Sequence, residues 1–474
     1  MNDTTSDRLF RYALCALAPI VGIVIIREIP IGYVAADYYY YQRTFYDFFQ
    51  QGGTWGEMHF GAAPGLFTNL LPVWIESRFL EDLTRLFLFH ISLYGMITGG
   101  VIWLIARRLT GDNVAAVFAM ILSILLIIVI GGENSFWNRP SHHYGSVINL
   151  LICLLLLLHG PGRWGVIAGV WAVVIMTVIS DFLFIPMYCG LVSGFLLVIW
   201  LSGGEPFRRV LGLGLVLALP VAIGVGLYYL ILPNAAANPV WASGLSLRDV
   251  VSSPPTHLAA MKFLAQESIR LPVYLAAPAV AVLTLLSMGR THEGFHGFIA
   301  VLVGFQIVVW GNIYMSGLGY PEVARYRLFA VNLSCILLAL GAALLLVRKG
   351  SQAKLRWIGY SLLLALGLGY LINPVADRIR FINSMDRAYF DYIDEVRCIR
   401  EAAEGKGLTA GIGAYKDASP YTMLTDGEVF LYPVDGRSLK PANYLVSRVG
   451  LKRPYNFALV SLDLSRYKFN DRRT

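Results

Sequence analysis

Charge is what this sequence has least of. Only 14% of its 474 residues are Asp, Glu, Lys or Arg, against about 25% in a soluble globular domain. An ordinary water-soluble enzyme and a disordered chain are both excluded on that ground. Cysteine is scarce as well, five in all. Cys15, Cys153, Cys189 and Cys335 sit in apolar stretches and only Cys398 in a polar one, so no pair builds a disulfide framework or a zinc motif. There is no Walker A loop, which removes an ATP-driven pump, and neither a Gly-x-Ser-x-Gly elbow nor a His-Glu-x-x-His helix. Internal repeats and low-complexity tracts are absent. The net charge of +8 is modest for this length and reflects Lys and Arg between apolar segments rather than nucleic-acid binding.

What is abundant is apolar length. The chain is 57% hydrophobic with a mean hydropathy of +0.61. Runs of about 20 residues, the length that crosses a bilayer, recur from end to end. They fall at 11–27, 84–106, 113–131, 144–159, 164–180, 182–201, 210–232, 271–289, 296–315, 328–347 and 357–373. The pattern predicts a polytopic α-helical membrane protein of about eleven transmembrane helices. Short basic connections carry Arg107-Arg108, Arg163, Arg208-Arg209, Arg290 and Arg348-Lys349, which places the N-terminus in the cytoplasm. The first run reads as a retained signal anchor, with a cleaved signal peptide ending near Val34-Ala35-Ala36 as the alternative.

Three polar regions then fall outside: a loop over 28–83, a segment over 233–270, and the chain from 374. The last changes composition sharply. A helical stretch near Asp386–Glu404 precedes strand-like runs at Glu428–Val434 and Phe457–Leu462, which suits a small extracytoplasmic α/β domain. The expected division is a transmembrane domain over 1–373 and a C-terminal domain over 374–474.

The first external loop is the richest in chemistry. Asp37 follows the first run and opens an aromatic stretch, Tyr38 to Tyr41. A carboxylate there, partly desolvated, has a raised pKa and suits a general base, or else it caps a helix. Glu57 and His59 can share one face of an extended segment, an arrangement for metal ligation or proton transfer, or a plain surface loop. The turn Glu133–Tyr144 holds His142 and His143 among aromatics, either for substrate contact or as an interfacial turn; on a helix the two imidazoles diverge. Asp181 stands between two apolar runs, either an intramembrane functional group or the mark of a wet external turn. Arg325, beside Tyr326 and followed by Arg327, leads into the tenth run. Two arginines there can clamp a phosphate or pyrophosphate, or snorkel to lipid headgroups.

Taken together, these features resemble the GT-C-fold integral membrane glycosyltransferases, which use polyprenyl-phosphate-linked sugars. The layout carries the likeness: an acid opening the first external loop at Asp37, an external Arg325-Tyr326 before a late span, and an external tail. Bacterial members of the dolichyl-phosphate-mannose-transferase type are similar, and the tail segments Gly411–Leu424 and Pro454–Phe457 look like tails in such proteins. The resemblance implies that Asp37, with Glu57 in reserve, deprotonates an acceptor hydroxyl. It implies that Arg325 holds the donor phosphate. Read from the residues themselves, Tyr326, His59, His142, His143 and Asp181 are the candidate substrate-binding residues. Many relatives carry a second acid beside the first. Here four tyrosines follow Asp37, which leaves open both the base and any need for Mg or Mn; no cofactor is fixed. The implied partners are a polyprenyl-phosphate-linked sugar, membrane lipids, and an envelope glycan, lipid or protein as acceptor, with no nucleic acid. The implied location is the inner, plasma membrane. Two other readings stay open: a non-catalytic GT-C-like envelope assembly protein, and a lipid or polysaccharide transporter. A transporter would distribute ionisable residues through several spans, whereas here they stay near the ends; no paired broken helices mark one either.

Overall fold

The computed structural model describes residues 40–54, 64–80, 83–131, 143–202, 205–232, 254–288, 294–317, 324–347, 396–434 and 454–459. The runs at 11–27 and 357–373, and the boundary at 373–374, lie outside these residues. Two compact units emerge. One comprises Met1–Pro30, Ala62–Thr68 and Ile91–Asn383, the other Ile31–Gly61, Asn69–His90 and Ser384–Thr474.

The first unit is helical because its sequence offers long apolar runs and few groups that compete for backbone hydrogen bonds. Two short helices of the other unit, α1 (Tyr40–Phe45) and α2 (Leu71–Glu76), come first in the chain. The bundle then follows as α3 (Leu83–Thr110), α4 (Asn113–Gly131), α5 (Tyr144–Leu158), α6 (Trp164–Ser180), α7 (Phe184–Leu201) and α8 (Phe207–Ile231). It ends with α9 (Pro254–Arg270), α10 (Val273–Ser287), α11 (Phe295–Gly317) and α12 (Ala324–Val347). The α3–α4 turn shows how the sequence stops and restarts a helix. Gly111 takes φ +68°, a conformation costly for any residue with a Cβ. Asp112 then accepts the Ala115 amide at 2.9 Å, which satisfies one of the unpaired donors of α4.

Within this unit α7 packs on α11, α4 and α10 on α12, and α6 on α5 and α8. The α7–α11 approach is closest at two glycines, where a Cβ on Gly194 would stand 2.5 Å from the Gly304 Cα. Small residues at such a crossing let two backbones meet. The outward faces are apolar. On α8, Leu211, Leu215 and Leu230 are 52%, 66% and 76% exposed, a flank that water would not tolerate and lipid would. Among the described residues four helical stretches are long and apolar enough to cross a bilayer: Phe89–Thr110, Phe184–Leu201, Phe207–Ile231 and Phe295–Tyr314. A fifth candidate is bent, with His257–Arg270 turning through 74° into Val273–Ser287.

In the second unit, a helix over 396–406, α13, precedes β1 (Ala410–Ala414), α14 (Tyr415–Leu424), β2 (Phe430–Val434) and β3 (Phe457–Leu459). The sheet is parallel in the order β2-β1-β3, with Ala410 opposite Phe430 and Gly411 opposite Phe457. Its core joins Val396, Ala418, Tyr421 and Leu431. The Thr422 hydroxyl accepts the Leu431 amide at 2.9 Å, tying α14 to β2. Part of the first loop belongs to this same unit. The Arg43 guanidinium on α1 lies 4.5 Å from the Phe430 ring centroid, and Tyr46 donates to the Gly427 carbonyl at 3.3 Å.

Candidate functional site

The α6–α7 connection is three residues long, and its first residue is Asp181. Hydropathy offers two readings of it, an intramembrane group or a wet turn. The structure combines parts of each: Asp181 does sit in a turn, yet it is only 1% exposed. Its Oδ1 accepts the Leu183 amide at 3.0 Å, the local side-chain-to-backbone bond that Asp makes two residues on. That bond aims Oδ2 back toward α5. There His143 Nδ1 donates at 2.8 Å and the Ser146 hydroxyl at 2.5 Å. One turn deeper, Asn149 donates to the Thr177 hydroxyl at 2.8 Å. His143, Ser146 and Asn149 recur every three residues, so the helical repeat puts them on one face of α5. The result is a polar ladder between two otherwise apolar helices.

Burial alone would raise the Asp181 carboxyl. The opposing influence of His143, its hydrogen bond, and those of Ser146 and the Leu183 amide outweigh it and hold the group below the usual carboxylate range. A carboxylate so saturated with donors is a poor base. It fixes the tautomer and orientation of the imidazole instead, since a proton on Nδ1 faces it. The His143 ring lies 6.1 Å from that of Phe329, and Phe329 sits one turn along α12 from Arg325. The same turn receives part of the first loop. The Gly65 amide donates to the Ser180 carbonyl at 2.9 Å and the Phe67 amide to the Ser180 hydroxyl at 2.9 Å. Gly65 holds φ +62° to enter this contact.

Of the site residues expected from sequence, His143 and Asp181 meet directly. Arg325 and Tyr326 have helical backbones in the first turn of α12, where hydropathy alone starts the span at 328. Asp37, Glu57, His59 and His142 lie outside the described residues. Sequence reasoning missed Ser146, Asn149 and Thr177, single polar residues in apolar runs. The available signal was spacing: Ser146 and Asn149 stand three and six residues from His143, and Thr177 four from Asp181.

The second unit holds a separate buried pair that sequence reasoning also missed. Glu76, the last residue of α2, accepts from His90 Nδ1 on α3 at 3.0 Å, with both side chains about 3–4% exposed. Fourteen residues separate the two, and neither stands in a recognisable motif. Among the described residues no group of three or more His, Cys, Asp or Glu side chains could hold a metal ion.

Apolar helices whose flanks suit only lipid, with buried polar groups kept between them, define a multi-pass helical membrane protein. No protein-family model matches the chain, and no curated protein matches it. Among solved structures it is similar to ArnT from Cupriavidus metallidurans bound to undecaprenyl phosphate. The identity is 15% and the TM-score 0.45, over 88% of this chain and 76% of that one.

Proposed function

We propose that the protein is a membrane glycosyltransferase that moves a sugar from a polyprenyl-phosphate donor to an envelope acceptor on the external face. The observation that carries the reading is the buried cluster of His143, Ser146 and Asp181 among apolar helices, with the His143 ring 6.1 Å from that of Phe329, a residue one turn along α12 from Arg325. Burying a carboxylate and an imidazole among apolar helices is costly, and such groups mark substrate paths. The layout of the sequence supplies the remaining roles. Asp37 takes the proton of the acceptor hydroxyl, the acceptor oxygen bonds to the anomeric carbon, and the bond from that carbon to the donor phosphate oxygen breaks. Arg325 stabilises the charge that collects on the departing lipid phosphate. His143, oriented by Asp181, provides a polar wall for the sugar, and Tyr326 a flat one.

The test is transfer of radiolabelled sugar from polyprenyl phosphate by the purified full chain, with membrane lipids as acceptor. Asp37→Asn is expected to lower kcat by about a hundredfold or more, the usual loss of a general base. Arg325→Ala is expected to weaken donor binding, and His143→Ala to raise KM more than it lowers kcat. Activity that survives Asp37→Asn moves the base to Glu57. The four tyrosines after Asp37, standing where relatives carry a second acid, favour a second reading, a fold of this type without catalysis. Donor binding without transfer or hydrolysis in the wild type would establish that reading and overturn the first.

A further inference from the structure

At the far end of α5 from His143 lies a cavity that the proposed reaction does not use. Its volume is about 680 Å³. The helix between them has 15 residues, a length of about 22 Å, so the two places are separate. Arg107, Arg108, Thr110, Leu155, His159 and Gly294 are among its lining residues, and no carboxylate of the described residues lines it.

The two arginines are held from behind, with their outer nitrogens left over. Arg107 rests on the Trp103 ring at 5.4 Å. Arg108 donates from Nε to the Leu158 carbonyl at 3.2 Å, which caps the end of α5. Neither makes a salt bridge among the described residues, in contrast to Arg209, which pairs with Glu205 at 3.1 Å. His159 donates from Nδ1 to the Leu155 carbonyl at 2.8 Å, so its ring is fixed at the same helix end. Leu104, Leu109 and Leu155 form the apolar part of the wall. Two planar forks whose outer nitrogens make no bond to the described residues, beside an apolar wall, are the complement of phosphate oxygens joined to a less polar body. Basic pockets between membrane helices bind anionic headgroups on this chemistry.

We propose that this cavity is a phosphate-binding site, with Arg107 and Arg108 as the ligands of a phosphate-bearing group and the three leucines as its apolar seat. Such a group is either the headgroup of an anionic phospholipid or free phosphate.

The experiment uses the full chain, purified in detergent, in two arms. In the first, native mass spectrometry follows titration with phosphatidylglycerol and with phosphatidylcholine. In the second, thermal unfolding is recorded with inorganic phosphate at constant ionic strength. The wild type is expected to retain phosphatidylglycerol over phosphatidylcholine, and Arg107→Gln with Arg108→Gln to lower that retention roughly thirtyfold, at about 1 kcal/mol per arginine. Leu155→Trp keeps both charges but fills the cavity, and is expected to lower retention as well. Stabilisation of the wild type by inorganic phosphate, lost in the double variant, would identify a soluble ligand; a response to phosphatidylglycerol alone would identify the lipid. Three results would overturn the site: unchanged binding of both probes in the double variant, unchanged binding in Leu155→Trp, or an equal loss in the distant control Arg209→Gln.

Discussion

Asp181 gathers three donors where water has little access, and that fixes what its loss would do. Removing one partner of a buried charged pair strands the other and typically costs about 3–5 kcal/mol. Asp181→Ala is therefore expected to lower the thermal midpoint of the detergent-solubilised protein sharply. Ser146→Ala should cost less, about 1 kcal/mol, the loss of one hydrogen bond. Combining Asp181→Asn with His143→Ala should show coupling of about 1–3 kcal/mol, as for residues of one network. The pH dependence follows from the depressed carboxyl. A group whose folded pKa lies below its unfolded value of about 3.9 stabilises the fold above that value. It loses the contribution as pH falls through the lower, folded value. The wild-type midpoint should drop through this acid range, and more steeply than that of Asp181→Asn. Equal slopes in the two proteins would show that Asp181 is not held ionised by its neighbours. The sequence displayed Asp181 and His143 as suspects but not as partners, since 38 residues separate them. Only the antiparallel pairing of α5 and α6 brings them together, and nothing in a hydropathy profile specifies which helices pair.

At the scale of helices the sequence was far more legible, because lipid leaves the backbone so few choices. Runs at 113–131 and 164–180 reappear as α4 and α6 with the same ends. What periodicity could not supply is the packing partner, and Gly194 illustrates the difference. It is one of 46 glycines and stands in an apolar run without any distinguishing neighbour, yet it meets Gly304 backbone to backbone. Gly194→Leu should force α7 from α11 and cost about 3 kcal/mol or more, beyond ordinary overpacking because backbone cannot yield. Gly226→Ala on α8 has open space around its Cβ position and should be neutral or raise stability by about 1 kcal/mol through helix propensity. Thermal unfolding of the two variants side by side checks both, and equal effects would remove the argument from close approach.

The helix α9 was not read as an element at all, since its run is too polar for a span. Its Leu258, Met261 and Ile269 are 74%, 55% and 78% exposed and recur at helical spacing, with Lys262 and Arg270 on the same exposed side. The following helix turns from it by 74°. The apolar stripe of α9 is expected to lie at the boundary of headgroups and acyl chains, as in an interfacial amphipathic helix. A spin label at Met261 or Ile269 of the reconstituted protein should be relaxed by oxygen more than by a water-soluble nickel chelate. The reverse preference would place the stripe in water.

For the whole molecule, membrane crossings have to balance, and the second unit sets the sum. Residues of the first loop and of the chain after 396 share that unit, through Arg43 over Phe430 and Tyr46 against Gly427. Groups in such contact occupy one side of a bilayer. The number of crossings between them is therefore expected to be even. Among the described residues four helical stretches, and a fifth that is bent, are long and apolar enough to supply some of them. Labelling with a membrane-impermeant maleimide tests the even count, in a protein whose other cysteines are replaced. The exposed native Cys398 and a cysteine at Phe49, 51% exposed, should react from the same face. A cysteine at Gly162, in the exposed α5–α6 connection, should react only from the other. If Cys398 reacts together with Gly162→Cys, the tail is on the side of the short basic connections, and the shared unit of loop and tail cannot exist in the membrane.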